Sequence, residues 1–245
     1  MEGRFAGVRL LAPPLADGEY VDLGDGTVVH LHDYARLYAV PGLYEYIVQE
    51  RLGCRSPQVA AASFLRALSL ARCDPGAVTV LDLGAGTGLV GALIQTGAVG
   101  AVVGVDALAA AREACLRDRP GVYSDYLVGD LARPAARFLD RLRAHRPRGF
   151  VSAGALGGTH APPAALVNAL ALLPAGVPAV FTIDERWMAA DERDGFGGVV
   201  ARLIADGALE LLERSRFQHR VSTGGEPIHY ELVVAITSGR AGARG

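Results

Sequence analysis

Three glycines at alternate positions, Gly84, Gly86 and Gly88, separate the apolar run 79–83 from an apolar pattern at helical spacing that starts at Leu89. Glycine adopts positive φ without strain and carries no side chain to obstruct a neighbour. A strand, a bare turn and a helix start in this order predict a place where backbone N–H groups approach a bound molecule closely. Asp82 stands just before the loop, and two more carboxylates follow the next apolar runs, Asp106 after 101–105 and Asp130 after Gly129. A carboxylate at Asp106 can accept from both hydroxyls of a ribose diol, each charge-assisted bond contributing roughly 1.5–3 kcal/mol. Asp130 can accept from an exocyclic amine while Leu131 offers its N–H to the ring edge. Taken singly, either aspartate also reads as a helix N-cap. On successive strand ends behind one glycine loop, the pair reads as a nucleoside site.

Two other glycine-loop chemistries fit less well. A dinucleotide-binding turn requires G-x-G-x-x-G; here the third position is Leu89, and the glycine falls one residue early at Gly88. A P-loop requires Gly-Lys-Ser/Thr after its glycines, and the chain has none. All 24 basic residues are arginine, which excludes Schiff-base catalysis and a lysine general base.

The elements that must position these residues are legible as an alternation. Strands are predicted at 78–83, 101–105, 125–128, 149–153 and 177–183. Helices follow at 88–96, 107–117 and 134–145, at the Pro162-Pro163 start, and near 194–206. Such alternation implies a parallel sheet with crossover helices on both faces. Residues 209–217 and 229–236 then form two strands joined by a polar Gly224-Gly225 turn, so the last strand runs antiparallel. Before residue 77 the chain differs in character. A hairpin is predicted around Gly24-Asp25-Gly26, followed by an aromatic stretch over 33–51 broken at Pro41-Gly42. A helix over 58–70 is expected to be capped by Ser56 with Pro57 at its first position.

Residues 81–88 (Leu-Asp-Leu-Gly-Ala-Gly-Thr-Gly), Gly104-Val105-Asp106, Gly129-Asp130-Leu131 and the terminal hairpin together resemble a class I S-adenosylmethionine-dependent methyltransferase. The likeness spans about residues 77–237. It implies a Rossmann-like, doubly wound α/β fold, a seven-stranded sheet of order 3-2-1-4-5-7-6 with the last strand antiparallel. It also implies S-adenosyl-L-methionine as cofactor and S-adenosyl-L-homocysteine as product. The implied cofactor residues are Asp82, Gly84, Ala85, Gly86, Gly88, Asp106, Ala107, Asp130, Leu131 and Ala153, with Tyr34 placed beside them. Asp106 would hold the ribose, Asp130 the adenine, and Ala153 would lie next to the methionine part. Residues 151–163 are similar to the subgroup related to the Williams–Beuren region methyltransferases. Arg148-Gly149-Phe150 and Leu173-Pro174-Ala175-Gly176 depart from the family pattern, both away from the donor site.

The 245 residues suit one large domain with an appendage: an N-terminal lid at 1–76, a donor-binding domain at 77–238 and a tail at 239–245. A formal charge of −2 argues against nucleic acid as the main partner. The arginine cluster from Arg133 to Arg148 reads as a solvated helix face. Cys54, Cys73 and Cys115 share no metal or redox spacing, as expected of thiols in a reducing, cytoplasmic setting, and no metal is expected. No membrane span is expected, since no run of 18 apolar residues occurs. Methyl transfer draws chiefly on alignment, which can supply roughly 7–11 kcal/mol, and a base adds about 10²–10⁴-fold. His160 is the candidate base, although it can equally order the Pro162-Pro163 helix start. His30, His32, Tyr34, Tyr38 and Trp187 either line an acceptor pocket or pack the lid. The expected acceptor is a small molecule, with a secondary metabolite as one candidate. The competing readings are a nicotinamide-dependent oxidoreductase and a non-catalytic binding protein that keeps the fold. A homodimer is left open.

Overall fold

The computed structural model describes residues 3–15, 18–158, 160–189 and 193–238; the tail expected at 239–245 lies outside them. Three antiparallel strands open the chain: β1 (Arg9–Leu15), β2 (Gly18–Asp22) and β3 (Val28–His30). Helix α1 (Tyr34–Ala39) follows, then α2 (Leu43–Glu45), which widens into a π-helical turn at Tyr46–Arg51. Helix α3 (Ser56–Leu70) leads into the alternating section. That section comprises β4 (Thr79–Leu83), α4 (Leu89–Gln95), β5 (Ala101–Asp106), α5 (Ala109–Asp118), β6 (Asp125–Val128), α6 (Ala136–Ala144), β7 (Gly149–Leu156) and α7 (Pro163–Leu170). It continues through β8 (Pro178–Asp184), α8 (Glu185–Ala189) and α9 (Phe196–Ala205) to β9 (Leu209–Val221) and β10 (Pro227–Thr237).

The large sheet has order β6-β5-β4-β7-β8-β10-β9, which is 3-2-1-4-5-7-6 when its own strands are counted. β4 pairs in parallel with β5 and β7, while β10 lies antiparallel to β8 and β9. The central strands carry apolar residues on both faces because both faces are covered. Val80, Val102, Val151 and Val180 pack under Phe64 and Leu68 of α3 and Ile94 of α4. Leu81, Val103, Phe150 and Phe181 pack under Leu142, Leu166, Leu170 and Val200. The hairpin around residues 24–26 forms as expected between β2 and β3. The first 54 residues contribute their own core of Phe5, Val21, Val29, Leu37, Ile47 and Leu52, whereas α3 belongs to the sheet.

One expectation changes. Ser56 does not cap α3: the N-cap position is Arg55, without a side-chain bond, and the Ser56 hydroxyl lies 2.7 Å from His219 Nδ1. Ser56 is fully buried, so its hydroxyl takes the polar partner that burial demands. Neither β1 nor α8 is among the elements expected from the sequence. The arginine cluster does lie on the surface, with Arg141 and Arg143 paired to Asp125 and Asp140.

The end of β9 ties the two parts of the chain together. Arg55 N–H donates to His219 O at 2.8 Å and Val221 N–H to Leu52 O at 2.9 Å. Arg220 makes a two-pronged ion pair with Glu19 of β2, Nη1 to Oε1 at 3.0 Å and Nη2 to Oε2, and Thr223 N–H adds a 2.7 Å bond to the same carboxylate. Burial pushes the Glu19 pKa up, but the Arg220 and Thr223 hydrogen bonds outweigh it and hold the group below the usual carboxylate value.

Candidate functional site

A cavity of about 780 Å³ opens where β4, β5, β6 and β7 end, and the N-terminal section closes it from above. Gly84, Ala85, Gly86, Asp106, Ala107, Asp130, Leu131, Ala153, Tyr34 and His160 all line it. Parallel strands bring their carboxyl ends to one edge, so residues 20 or more positions apart in sequence converge.

Asp106 ends β5. Its Oδ1 accepts from Leu108 N–H at 2.9 Å and its Oδ2 from Gly86 N–H at 3.0 Å. Each oxygen keeps a lone pair toward the cavity. Burial raises the Asp106 pKa, opposed by those backbone N–H groups. Asp106 is not the cap of α5, whose N-cap is Leu108. Asp130 is exposed at the mouth, and its Oδ1 accepts from Ala132 N–H at 2.7 Å. Leu131 is buried, and its carbonyl accepts from Asn168.

The glycine loop differs in detail from the expected ligand cradle. Gly84 and Ala85 N–H donate to Val105 O at 2.8 and 3.1 Å, Gly86 N–H to Asp106, and Gly88 N–H to Ala85 O at 2.9 Å. These donors are engaged inside the chain and are not offered to a ligand. The glycines are needed for packing: all three have positive φ, and a Cβ on Gly84 would lie 2.1 Å from the Ala155 Cβ. Gly86 is the least crowded of the three, although Tyr38 Oη would still lie a tight 3.2 Å from an added Cβ. The loop is further pinned by Thr87, whose hydroxyl donates to Glu45 of α2, a carboxylate that Arg119 also binds at 2.7 Å.

Two residues expected to touch the cofactor do not line the cavity. Gly88 faces α5, where a Cβ would meet Cys115 Sγ at 2.7 Å. Asp82 lies beneath the loop with no exposure, its Oδ2 accepting from Tyr123 Oη at 2.7 Å and its Oδ1 without a partner among the described residues. Burial outweighs the Tyr123 bond and pushes the Asp82 pKa up to about 7. The unfolded value is near 3.9, so the folded protein holds the proton more tightly. Stability therefore falls as pH rises from about 4 to about 7 and is flat above. Asp82→Asn removes this dependence and keeps the Tyr123 bond. Its gain in urea-unfolding free energy over wild type is expected to be larger at pH 8 than at pH 5.

The wall opposite the strand ends is built of rings. Tyr34 stacks on Tyr38 at 5.7 Å and meets Tyr44 edge-on at 5.9 Å. Tyr34 Oη lies 3.4 Å from His160 Nε2, and His160 meets His32 edge-on at 4.9 Å. Burial, then the neighbouring His160, lowers the His32 pKa to about 4; burial, then Arg220, lowers that of His160. Both imidazoles are thus neutral at pH 7. Two ring residues fall elsewhere: His30 packs on Tyr20 at 5.0 Å, and Trp187 covers Gly157 from the surface side. Glu45, Gln49, His219, Arg220 and Tyr230, none of them expected from the sequence, also line the cavity, as does Ser56, which was expected only as a helix cap. Gln49 Oε1 is buried without a partner among the described residues, as in a site that completes its hydrogen bonds with a ligand.

No family model matches the chain, and no curated protein matches it. Among solved structures it is similar to the N-methyltransferase NodS of Bradyrhizobium japonicum WM9 in complex with S-adenosyl-L-homocysteine, at 16% identity over 84% of this chain and 97% of that one, with TM-score 0.54. It is also similar to a candidate RNA methyltransferase of Pyrococcus horikoshii, at 19% identity over 76% and 87%, with TM-score 0.51. A Thermoplasma acidophilum protein gives 15% identity over 72% and 84%, with TM-score 0.50. These likenesses show the fold, that of the class I S-adenosylmethionine-dependent methyltransferases, and do not single out the Williams–Beuren subgroup.

Proposed function

We propose that this chain transfers a methyl group from S-adenosyl-L-methionine to a small-molecule acceptor held in the same cavity. The observation that carries this reading is the way the glycine loop disposes of its donors. A dinucleotide site offers loop N–H groups to a pyrophosphate. Here the N–H groups of Gly84, Ala85, Gly86 and Gly88 are bonded within the chain. What faces the cavity is a bare surface beside two carboxylates, which suits a donor with a ribose, an adenine and a positive sulfur. The same feature weighs against the nicotinamide reading. A binding protein without activity is disfavoured by the cavity's second, ring-lined half, which the donor's contacts do not require.

Asp106 would accept from the ribose hydroxyls, Asp130 Oδ2 from the adenine amine, and Gly84 to Gly86 with Ala153 would pass beneath the remainder. Ala107 and Leu131 would flank the base and Tyr34 the sulfur end. When bound, the donor supplies a methyl group already activated on a sulfonium. The chain's own residues then align the acceptor and exclude water. The segment before α3 acts as a lid, fixed to the loop through Glu45 and Thr87. A small acceptor is favoured by enclosure beneath this lid and by the −2 net charge, with secondary metabolism a natural setting. His160, the residue the sequence nominates as base, lines the cavity with its Nε2 3.4 Å from Tyr34 Oη.

Isothermal titration with S-adenosyl-L-homocysteine and with NAD(H) tests the reading. Saturable binding of the first is expected, and Asp106→Ala should weaken it by about 10-fold or more with the fold intact. Saturable NAD(H) binding without the homocysteine nucleoside would establish the other reading.

A further inference from the structure

His219 sits in a β-bulge. Ile228 pairs with Arg220 and His229 with Gln218, so His219 has no residue opposite it on β10. A bulge re-aims the neighbouring side chains. Exposure alternates along β9 from Glu213 to Gln218, and then His219 and Arg220 are buried one after the other, each 7% exposed. Both reach the cavity wall. The His219 ring stacks on Tyr230 at 3.9 Å, and its Cε1 edge lies over Gly154, next to Ala153. Its Nδ1 is held by Ser56 at 2.7 Å, with Cys54 Sγ at 3.7 Å, and among the described residues its Nε2 has no partner.

The charges lining this half of the cavity are balanced within the chain: Arg220 by Glu19 and Glu45 by Arg119. A charged ligand would enter without a counter-ion, at a high desolvation cost. Rings line these walls, among them Tyr34, Tyr44, His160, His219 and Tyr230, and aromatic neighbours favour a flat partner at centroid distances of about 4.5–7 Å. We infer that this half takes an uncharged, planar molecule bearing a phenol-like hydroxyl, and that His219, held by Ser56, receives the hydroxyl proton. The inference rests on the donor reading above.

In the tautomer this step uses, Nδ1–H of His219 donates to Ser56 Oγ across the 2.7 Å contact, which leaves the Nε2 lone pair for the acceptor O–H. The acceptor oxygen forms its bond to the methyl carbon, and the carbon–sulfur bond breaks with its electron pair left on sulfur. The O–H bond breaks and the proton passes to Nε2. The groups facing this ring are Arg220 on its own strand, Glu19 of β2, Asp184 of β8, Tyr230 of β10, His160 after β7, and Cys54. Burial first, then Arg220, lowers its pKa to about 3, against Asp184 and Glu19. So weak a base does not ionise the hydroxyl beforehand. It orients the O–H and takes the proton late, once bonding to carbon has made that proton strongly acidic.

The test uses wild type loaded with S-adenosyl-L-homocysteine, titrated calorimetrically with 2-naphthol, 2-naphthoate and 2-naphthylmethylammonium. Naphthol should bind at least about 10-fold more tightly than either charged analogue. Equal or tighter binding of a charged analogue, or no binding of naphthol, overturns the acceptor class. With S-adenosyl-L-methionine and 2-naphthol, His219→Asn should lower kcat at pH 7 by about 100-fold or more, with the affinity for S-adenosyl-L-homocysteine retained. The loss should sit in kcat, with the KM for 2-naphthol little changed. An unchanged kcat, or a loss that appears in KM with kcat retained, removes His219 from the proton's path. His219→Gln serves with the same readout should the Asn variant lose its fold. Failure of wild type to bind S-adenosyl-L-homocysteine at all would overturn the donor reading, and this inference with it.

Discussion

Glu19→Ala should lower the unfolding free energy by about 3–5 kcal/mol, because it leaves the Arg220 guanidinium buried without its counter-ion. The side chains of Arg220 and Glu19 are only 9% and 15% exposed, so water cannot replace the lost partner. Thr223 N–H loses its acceptor at the same time. Urea unfolding at pH 7 measures the loss. The double substitution Glu19→Ala/Arg220→Met should recover much of it, since removing both charges leaves no orphan. The pH dependence has a definite sign. The folded pKa of Glu19 is lowered, so its stabilisation is present above the unfolded value and is lost as pH falls through the folded one. In Glu19→Ala, the difference from wild type should therefore shrink in acid. A cost below about 1 kcal/mol at pH 7 would mean that the pair behaves as a surface pair and does not hold β2 against β9.

Gly84→Ala should cost about 2–5 kcal/mol, from roughly 1–2 for a left-handed non-glycine residue and roughly 1–3 for overpacking. The φ at Gly84 is +75°, and the new Cβ would lie 2.1 Å from that of Ala155. A methyl group on the next strand cannot swing aside, so the backbones of β4 and β7 must separate at the cavity floor. Affinity for S-adenosyl-L-homocysteine should fall with stability. Gly84→Ala/Ala155→Gly removes the contact and leaves the φ term, so about half of the stability loss should return in denaturant titrations. An unchanged midpoint for Gly84→Ala would show that the turn is not held as described.

The parallel strands β4 to β8 were legible because each is a short apolar run followed by glycine or ended by aspartate, and because both faces are covered. Asp106 and Asp130 were legible for the same reason: a carboxylate directly after such a run has to emerge at the strand end. Asp82 and Gly88 were visible but misread. Sequence shows that the first is acidic and the second bare, but not that Tyr123 and Cys115, from about 27 to 41 positions away, already occupy the space beside them. β1 was missed because Pro13-Pro14 reads as a breaker, although an edge strand tolerates proline. The second half of the cavity was the least legible. Its residues come from a π-helical turn and a β-bulge, and neither leaves a periodic signature. In β9, His219-Arg220 simply continues a run of charged residues that reads as a solvated edge.

A crystal structure of the protein soaked with S-adenosyl-L-homocysteine tests the central claim most directly. The account predicts the nucleoside lying over Gly84 to Gly86, both ribose hydroxyls on the Asp106 carboxylate and the adenine amine at Asp130. Ordered ligand anywhere else, or an empty cavity at saturating concentration, would contradict it.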